Sequence, residues 1–187
     1  MKVLVACEYS GKVRDAFIAK GHDAMSCDLL ATDKPGPHYQ GDVFDIINDG
    51  WDLMIAHPPC TYLCNSGVRW LYKDDSRWDK MRDGANFFKQ LMQSDIPLIA
   101  IENPIMHKYA VEIIGAKQTQ IIQPWQFGHG ETKGTGLWLK GLPKLTSTDI
   151  VEGREQRLHR LPPSKNRWKI RSETFQGIAD AMAQQWG

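Results

Sequence analysis

Asp52-Leu53-Met54-Ile55-Ala56-His57-Pro58-Pro59-Cys60 is the stretch on which the fold turns. A short apolar run bounded by turn residues reads as a buried strand. Proline lacks an amide donor and fixes φ, so the strand cannot continue through Pro58-Pro59. The chain leaves the sheet edge there and carries a thiol just past it. In open parallel α/β sheets, ligands bind at that carboxyl edge. Cys60 then has two readings: a nucleophile on a proline-stiffened loop, or a small residue tucked into the core, as free cysteines usually are.

Working outward, Lys2–Cys7 reads as a buried first strand and Glu8-Tyr9-Ser10-Gly11 as a tight turn. Val13–Lys20 has helical spacing and a capping Gly21. Ala24–Cys27 is a second strand ending at Asp28, and 32–40, rich in proline and glycine, reads as a loop. Gly41-Asp42-Val43 opens a short segment before the strand already described. Beyond Cys60, residues 61–78 form a loop region. Arg77–Gln93 is an amphipathic helix with Trp78, Met81, Ala85, Phe88, Leu91 and Met92 as its stripe. Ile96–Ile101 is a strand ending at Glu102-Asn103-Pro104. A short helix follows over Tyr109–Ile114, with strands at Thr119–Ile122 and Leu137–Leu139. A helix over Phe175–Trp186 comes last. This alternation predicts an α/β fold: a Rossmann-like, doubly wound, mainly parallel sheet in a single domain spanning 1–187.

The chain has 187 residues, a length that suits one domain with a sizeable core. Its formal net charge is +1, so nucleic-acid binding would have to rest on a local patch. Such a patch is present at 144–172, where Arg154, Arg157, Arg160, Lys165, Arg167 and Lys169 are interleaved with His159 and Trp168. It could track a phosphate backbone, or be a solvated charged loop. No signal peptide is recognisable before Cys7, so the four cysteines are expected reduced and the setting cytoplasmic.

Several residues carry candidate chemistry. The turn Glu8-Tyr9-Ser10-Gly11 follows the first strand, where nucleotide-like cofactors sit, but it lacks GxGxxG and so does not read as a phosphate cradle. A phosphate-free cofactor such as S-adenosylmethionine suits it better. Asp28 lies about twenty residues on, where an acid accepts from a ribose hydroxyl. Asp42 could accept from an adenine amino group; both acids could equally be caps. Cys60 and Glu102 each follow an apolar strand and each has proline beside it. A thiolate and a carboxyl group at neighbouring strand ends suit attack on an electron-poor ring with protonation elsewhere on it. A zinc site from His57, Cys60 and Cys64 is the weaker reading, because no second ligand pair has metal spacing, and no metal is expected.

Taken in order, these pieces resemble the DNA cytosine-5 methyltransferase family. Pro58-Pro59-Cys60 resembles its nucleophile motif, Glu102-Asn103 its Glu-Asn motif, and Tyr9-Ser10-Gly11 its first cofactor motif. Asp28 and Gly41-Asp42 stand where its next cofactor acids stand, and 172–187 is more weakly similar to its closing motif. The resemblance implies a short, phage-like form. It implies Cys60, Glu102 and Asn103 as catalytic residues, and Glu8, Tyr9, Ser10, Gly11, Asp28, Asp42 and Pro58 as the S-adenosylmethionine site. It also implies transfer of methyl to C5 of cytosine in DNA after the base is flipped out. The departures are specific. Pro104 follows Glu102-Asn103, and Glu131–Thr135 lacks the arginines of the family's Gln-x-Arg-x-Arg motif. The basic insertion at 144–172 stands in place of a target-recognition domain. The substrate could therefore be duplex DNA, single-stranded DNA or a cytosine nucleotide. A pyrimidine nucleotide-modifying enzyme and an inactive methyltransferase-like binding protein are the alternatives.

Overall fold

The computed structural model describes Met1–Gly187. Its strands are β1 (Lys2–Ala6), β2 (Asp23–Asp28), β3 (His38–Gln40), β4 (Leu53–Ala56), β5 (Leu98–Pro104), β6 (Gln120–Ile122) and β7 (Thr135–Lys140). Its helices are α1 (Lys12–Ala19), α2 (Ser76–Met92), α3 (Lys108–Ile114), α4 (Arg157–Arg160), α5 (Arg167–Ser172) and α6 (Gln176–Trp186). The strands form one seven-stranded sheet in the order β3-β2-β1-β4-β5-β7-β6. The first five are parallel, whereas β7 runs antiparallel to both β5 and β6.

The central strands are apolar along their whole length because both faces of the sheet are covered. Period-two alternation sorts their side chains. Leu4, Ala6, Met54, Ala56, Ile99 and Ile101 pack toward α2 and α3, with Phe88 and Trp138 among them. Val3, Val5, Leu53, Ile55 and Ala100 pack toward α1 and α6, against Phe17, Met182 and Trp186. The strand order reverses between β1 and β4, so the crevice at the carboxyl ends of those two strands is the sheet's switch point.

Three expectations need correction. β5 does not end before Glu102: it runs to Pro104, with Glu102, Asn103 and Pro104 paired to Leu137, Gly136 and Thr135. Antiparallel β7 extends the ladder, and Pro104 is tolerated as its last residue. Residues 32–40 are not all loop, since β3 forms at the sheet edge. The segment leading into it is held by Arg14 of α1, which is completely buried. The guanidinium donates to Ser26 Oγ, Thr32 Oγ1 and the carbonyls of Lys34 and Pro35. Gly11 and Gly36 are required beside it, because a Cβ on either would stand 2.5–2.7 Å from the guanidinium. Third, 61–78 is not all irregular, as Asn65–Tyr72 winds into 3₁₀ turns.

Replacing Arg14 by Ala would remove four hydrogen bonds from a fully buried guanidinium at once. We expect a loss on the order of 3 kcal/mol in unfolding free energy by denaturant titration, with Arg14→Lys recovering only part of it.

Candidate functional site

The switch-point crevice collects most of the residues singled out from the sequence. Cys60 is partly exposed on the loop after β4, and Glu102 and Asn103 are buried at the end of β5. Two contacts hold these neighbours together. Asn103 Nδ2 donates to the Pro58 carbonyl at 2.9 Å. His57 Nδ1 lies 3.3 Å from Glu102 Oε2, which also accepts from Thr174 Oγ1 at 3.4 Å. In the sequence, His57 stands out only as a metal ligand. It faces Glu102, and no group of three or more His, Cys, Asp or Glu residues is placed to hold a metal ion.

Electrostatics single out the same group. Burial pushes the His57 imidazole down, but the hydrogen bond to Glu102 and the charges of Glu102 and Glu8 prevail and hold it above its ordinary value. Burial likewise opposes charge on Glu102, yet His57, Lys133 and Thr174 keep its carboxyl below the usual range. The two are a buried ion pair. Lys133 lies in the segment where the family resemblance predicted arginines, and its charge also acts on Cys60. Its one visible signal in the sequence is its place just before β7.

Cys60 and Cys64 form a second coupled pair. The loop turns so that the Leu63 and Cys64 amides both donate to the Cys60 carbonyl. Cys64 is drawn down to about 5, chiefly by the Cys60 thiol and also by the Ser66 hydroxyl and Gly67 amide, despite its burial. Cys60 is pushed up, because it donates to Cys64 and because it is buried. The ionisation of each sulfur therefore depends on the other, with Cys64 favoured as the thiolate.

The predicted cofactor residues divide. Glu8 is buried and spent on the start of α1, accepting from the Val13 and Arg14 amides and from Ser10 Oγ. Gly11, at φ 71°, begins that helix. Tyr9 bonds to the Lys169 carbonyl and Ser172 Oγ, so 168–174 folds over the turn. Asp28 and Asp42 stand at the edge beyond β2, close enough to act together on Cys7. Asp28 accepts from the Leu30 amide and Asp42 from the Phe44 amide, each through Oδ1. Burial raises Asp28. Pro58 is buried, and its carbonyl is the acceptor for Asn103.

Between Tyr9, His57 and Thr174 lies a cleft of about 50 Å³. That is room for one or two waters. A nucleoside would have to lie along the open edge, where Asp28 and Asp42 are flanked by exposed Leu29 and Phe44.

The basic stretch is only partly free. Arg157 pairs with buried Glu131, Lys169 with Asp33, and Arg167 donates to the Leu161 carbonyl. Arg154 lies 3.8 Å from the centre of the Trp125 ring. Arg160 and Lys165 are exposed without a protein partner. Arg154, Arg157 and Arg160 line an open concavity of about 640 Å³.

Comparison with solved structures gives the same architecture. A protein assigned as a DNA modification methyltransferase encoded within an E. coli prophage matches with a TM-score of 0.50 over 80% of this chain at 16% identity. The Entamoeba histolytica methyltransferase EhMeth matches with a TM-score of 0.53 over 80% at 13% identity. The match takes in 51% and 57% of those chains, so this chain spans about half the length of each. No family model and no curated protein matches the sequence. The fold is thus the Rossmann-like α/β fold of solved methyltransferases. No helix is long and apolar enough to cross a membrane.

Two outcomes follow from the paired groups. Iodoacetamide at neutral pH should alkylate Cys64 well before Cys60, as mass spectrometry of tryptic peptides would read, and Cys64→Ser should speed alkylation of Cys60. The His57–Glu102 coupling can be measured by a double-mutant cycle with H57Q and E102Q. His57 is raised, so its contribution is complete below its ordinary 6.5 and is lost as pH rises through its folded value. Glu102 is lowered, so its contribution is present above its ordinary 4.5 and is lost as pH falls through its folded value. Coupling of about 1–3 kcal/mol should therefore be largest between pH 4.5 and 6.5 and fall away on either side.

Proposed function

We propose that the protein transfers a methyl group from S-adenosylmethionine to C5 of a cytosine in DNA, through a covalent adduct at Cys60. The observation that carries this reading is the junction of two strand ends. Asn103 clamps the Pro58 carbonyl, which sets the Cys60 loop beside Glu102, and Lys133 bears on both. A thiol, a carboxyl group and a cation then converge at a sheet edge where planar ligands bind. The likeness in fold to two methyltransferases, one named for DNA modification, supports methyl transfer and a DNA substrate.

The chemistry follows from the positions. The Cys60 proton passes to the Cys64 thiolate, and the Cys60 sulfur bonds to C6 of the ring. The C5=C6 π pair shifts as N3 takes a proton from Glu102, which at rest is the carboxylate of the ion pair and first takes that proton from the His57 imidazolium, leaving C5 nucleophilic. Asp28 and Asp42 would hold S-adenosylmethionine, which when bound would supply an electrophilic methyl group for C5 and leave as S-adenosylhomocysteine. Water in the crevice takes the C5 proton, the C5=C6 bond re-forms as the C6–S bond breaks and frees the Cys60 thiolate, and N3 returns its proton to Glu102. Asn103 holds the loop rather than the base. Arg154, Arg157 and Arg160 offer phosphate contacts, and Lys165 adds a free charge.

Incubation with S-adenosylmethionine and DNA carrying 5-fluorocytosine tests this directly, because fluorine at C5 cannot leave as a proton does. We expect a covalent adduct visible on a denaturing gel. It should be absent in Cys60→Ser, retained in Cys64→Ser, and slowed by about 10²-fold or more in Glu102→Gln. Charge reversal at Arg154, Arg157 and Arg160 should weaken adduct formation on DNA in a salt-dependent way and spare reaction with a fluorinated nucleotide. Failure to form an adduct on duplex, single strand or nucleotide would overturn the proposal. An adduct on the nucleotide alone would point to the mononucleotide enzyme.

A further inference from the structure

The ring of His57 has an unusual set of partners. It leaves β4 directly: its amide is bonded to the Ala6 carbonyl, and its side chain turns toward β5. Nδ1 meets Glu102 Oε2, but Nε2 is buried and has no hydrogen-bond partner. A histidine retained for the fold would be expected to satisfy both nitrogens, since a buried polar atom left unpaired is costly. The one protein hydrogen bond that the His57 ring makes is to Glu102.

The two oxygens of Glu102 are used unequally. Oε2 takes both contacts, from His57 and from Thr174. Oε1 has no protein partner, yet it is not among the buried unpaired atoms, so it reaches accessible surface. One oxygen is thus held by two protein groups and the other is left free.

We propose that His57 is a positioning residue for Glu102: by holding Oε2 from within, it fixes the carboxyl plane so that Oε1 is the atom presented to the substrate ring. This role rests on the pyrimidine reading above and specifies how that ring is met. A carboxyl group free to rotate at the end of a strand would offer either oxygen, in or out of the ring plane. Anchored on one side by an imidazole and a hydroxyl, it presents one oxygen in one orientation, so no reorganisation is needed when the base arrives. His57 also sets the charge of Glu102. The other groups that bear on this imidazole are Glu8 after β1 and Lys133 before β7, while Asp28 after β2 is in turn affected by it. Glu8 favours the imidazolium and Lys133 opposes it, and neither is hydrogen-bonded to the ring. Glu102 is therefore the partner whose loss changes His57 most.

Two variants separate positioning from bulk support. His57→Gln can still donate a hydrogen bond toward Oε2 but lacks the charge; His57→Ala offers neither. In the 5-fluorocytosine assay, His57→Ala should form adduct more slowly by about 10-fold or more at saturating DNA, with the concentration for half-saturation little changed. His57→Gln should recover much of that rate, with the limb of its pH profile that depends on carboxyl protonation moved to higher pH, since burial then acts on Glu102 without a cation beside it. A rate and profile unchanged in His57→Ala would overturn the proposal, as would equal loss in Ala and Gln variants that fold normally by circular dichroism.

Nitrogen-15 NMR of the histidine rings provides a readout that needs no substrate. In the wild type, His57 should titrate above its ordinary 6.5; in Glu102→Gln it should titrate below. A His57 titration indifferent to Glu102→Gln would overturn the pairing itself. A normal pairing in a wild type that forms no adduct on any substrate would instead defeat the proposed function, and with it the positioning role of His57.

Discussion

Everything at the candidate site depends on how the ends of β4 and β5 are tied together. Pro58 and Pro59 bring no amide hydrogens to the loop, so the segment cannot pair with the sheet through its own donors. Its carbonyls must be met from outside. Asn103 meets one of them, and the ion pair of His57 with Glu102 closes the same junction one residue earlier on each strand. Without this brace the prolines would stiffen the loop but leave its direction undetermined. With it, the position of Cys60 follows from the register of two adjacent parallel strands.

The antiparallel strand β7 matters for the same reason. It carries the β5 ladder past the point where parallel β4 stops, so that Glu102 and Asn103 are strand residues with fixed directions and not turn residues. Two residues before β7 stands Lys133, whose ammonium donates to the Arg171 carbonyl. It links the thiol and carboxyl side of the crevice to the segment that closes over Tyr9. That closing segment is anchored by further contacts, from Lys12 to Glu173, from Lys169 to Asp33, and from the Tyr9 hydroxyl to Ser172. The exposed ion pairs contribute little individually. Together they fix where the chain runs.

The two ionisable pairs at the crevice follow one rule. In each, burial opposes the charged form and one neighbour gives the largest opposing or added effect: His57 on Glu102, and Cys64 on Cys60. Low dielectric makes each coupling strong. A nucleophile that is protonated at rest, beside a sulfur that can take its proton, is ready for use only when that transfer is made.

Much of the fold was legible in the residue pattern. Apolar runs ending in Asp28 and His57-Pro58-Pro59 marked strand ends, the run before Glu102 marked β5 but not its extension to Pro104, and α2 and α6 declared themselves by their stripes. These signals are local, arising from periodicity and from the conformational limits of proline and glycine. Cys60, Glu102, Asn103, Asp28 and Asp42 were picked out because each lies at or just beyond a strand end or a turn. What could not be read were the properties set by partners distant in the chain. Glu8 became the acceptor for the first turn of α1, Arg14 drew the edge strand β3 out of an apparent loop, and β7 turned antiparallel to its neighbours. Four of the six basic residues were engaged with the protein itself. His57, which its neighbouring cysteines suggest as a metal ligand, is the partner of Glu102. Which residues reach the edge of the sheet follows from the local chain, through periodicity and the limits of proline and glycine. Which of them meet, and how their charges are held, follows from burial and from contacts between segments far apart.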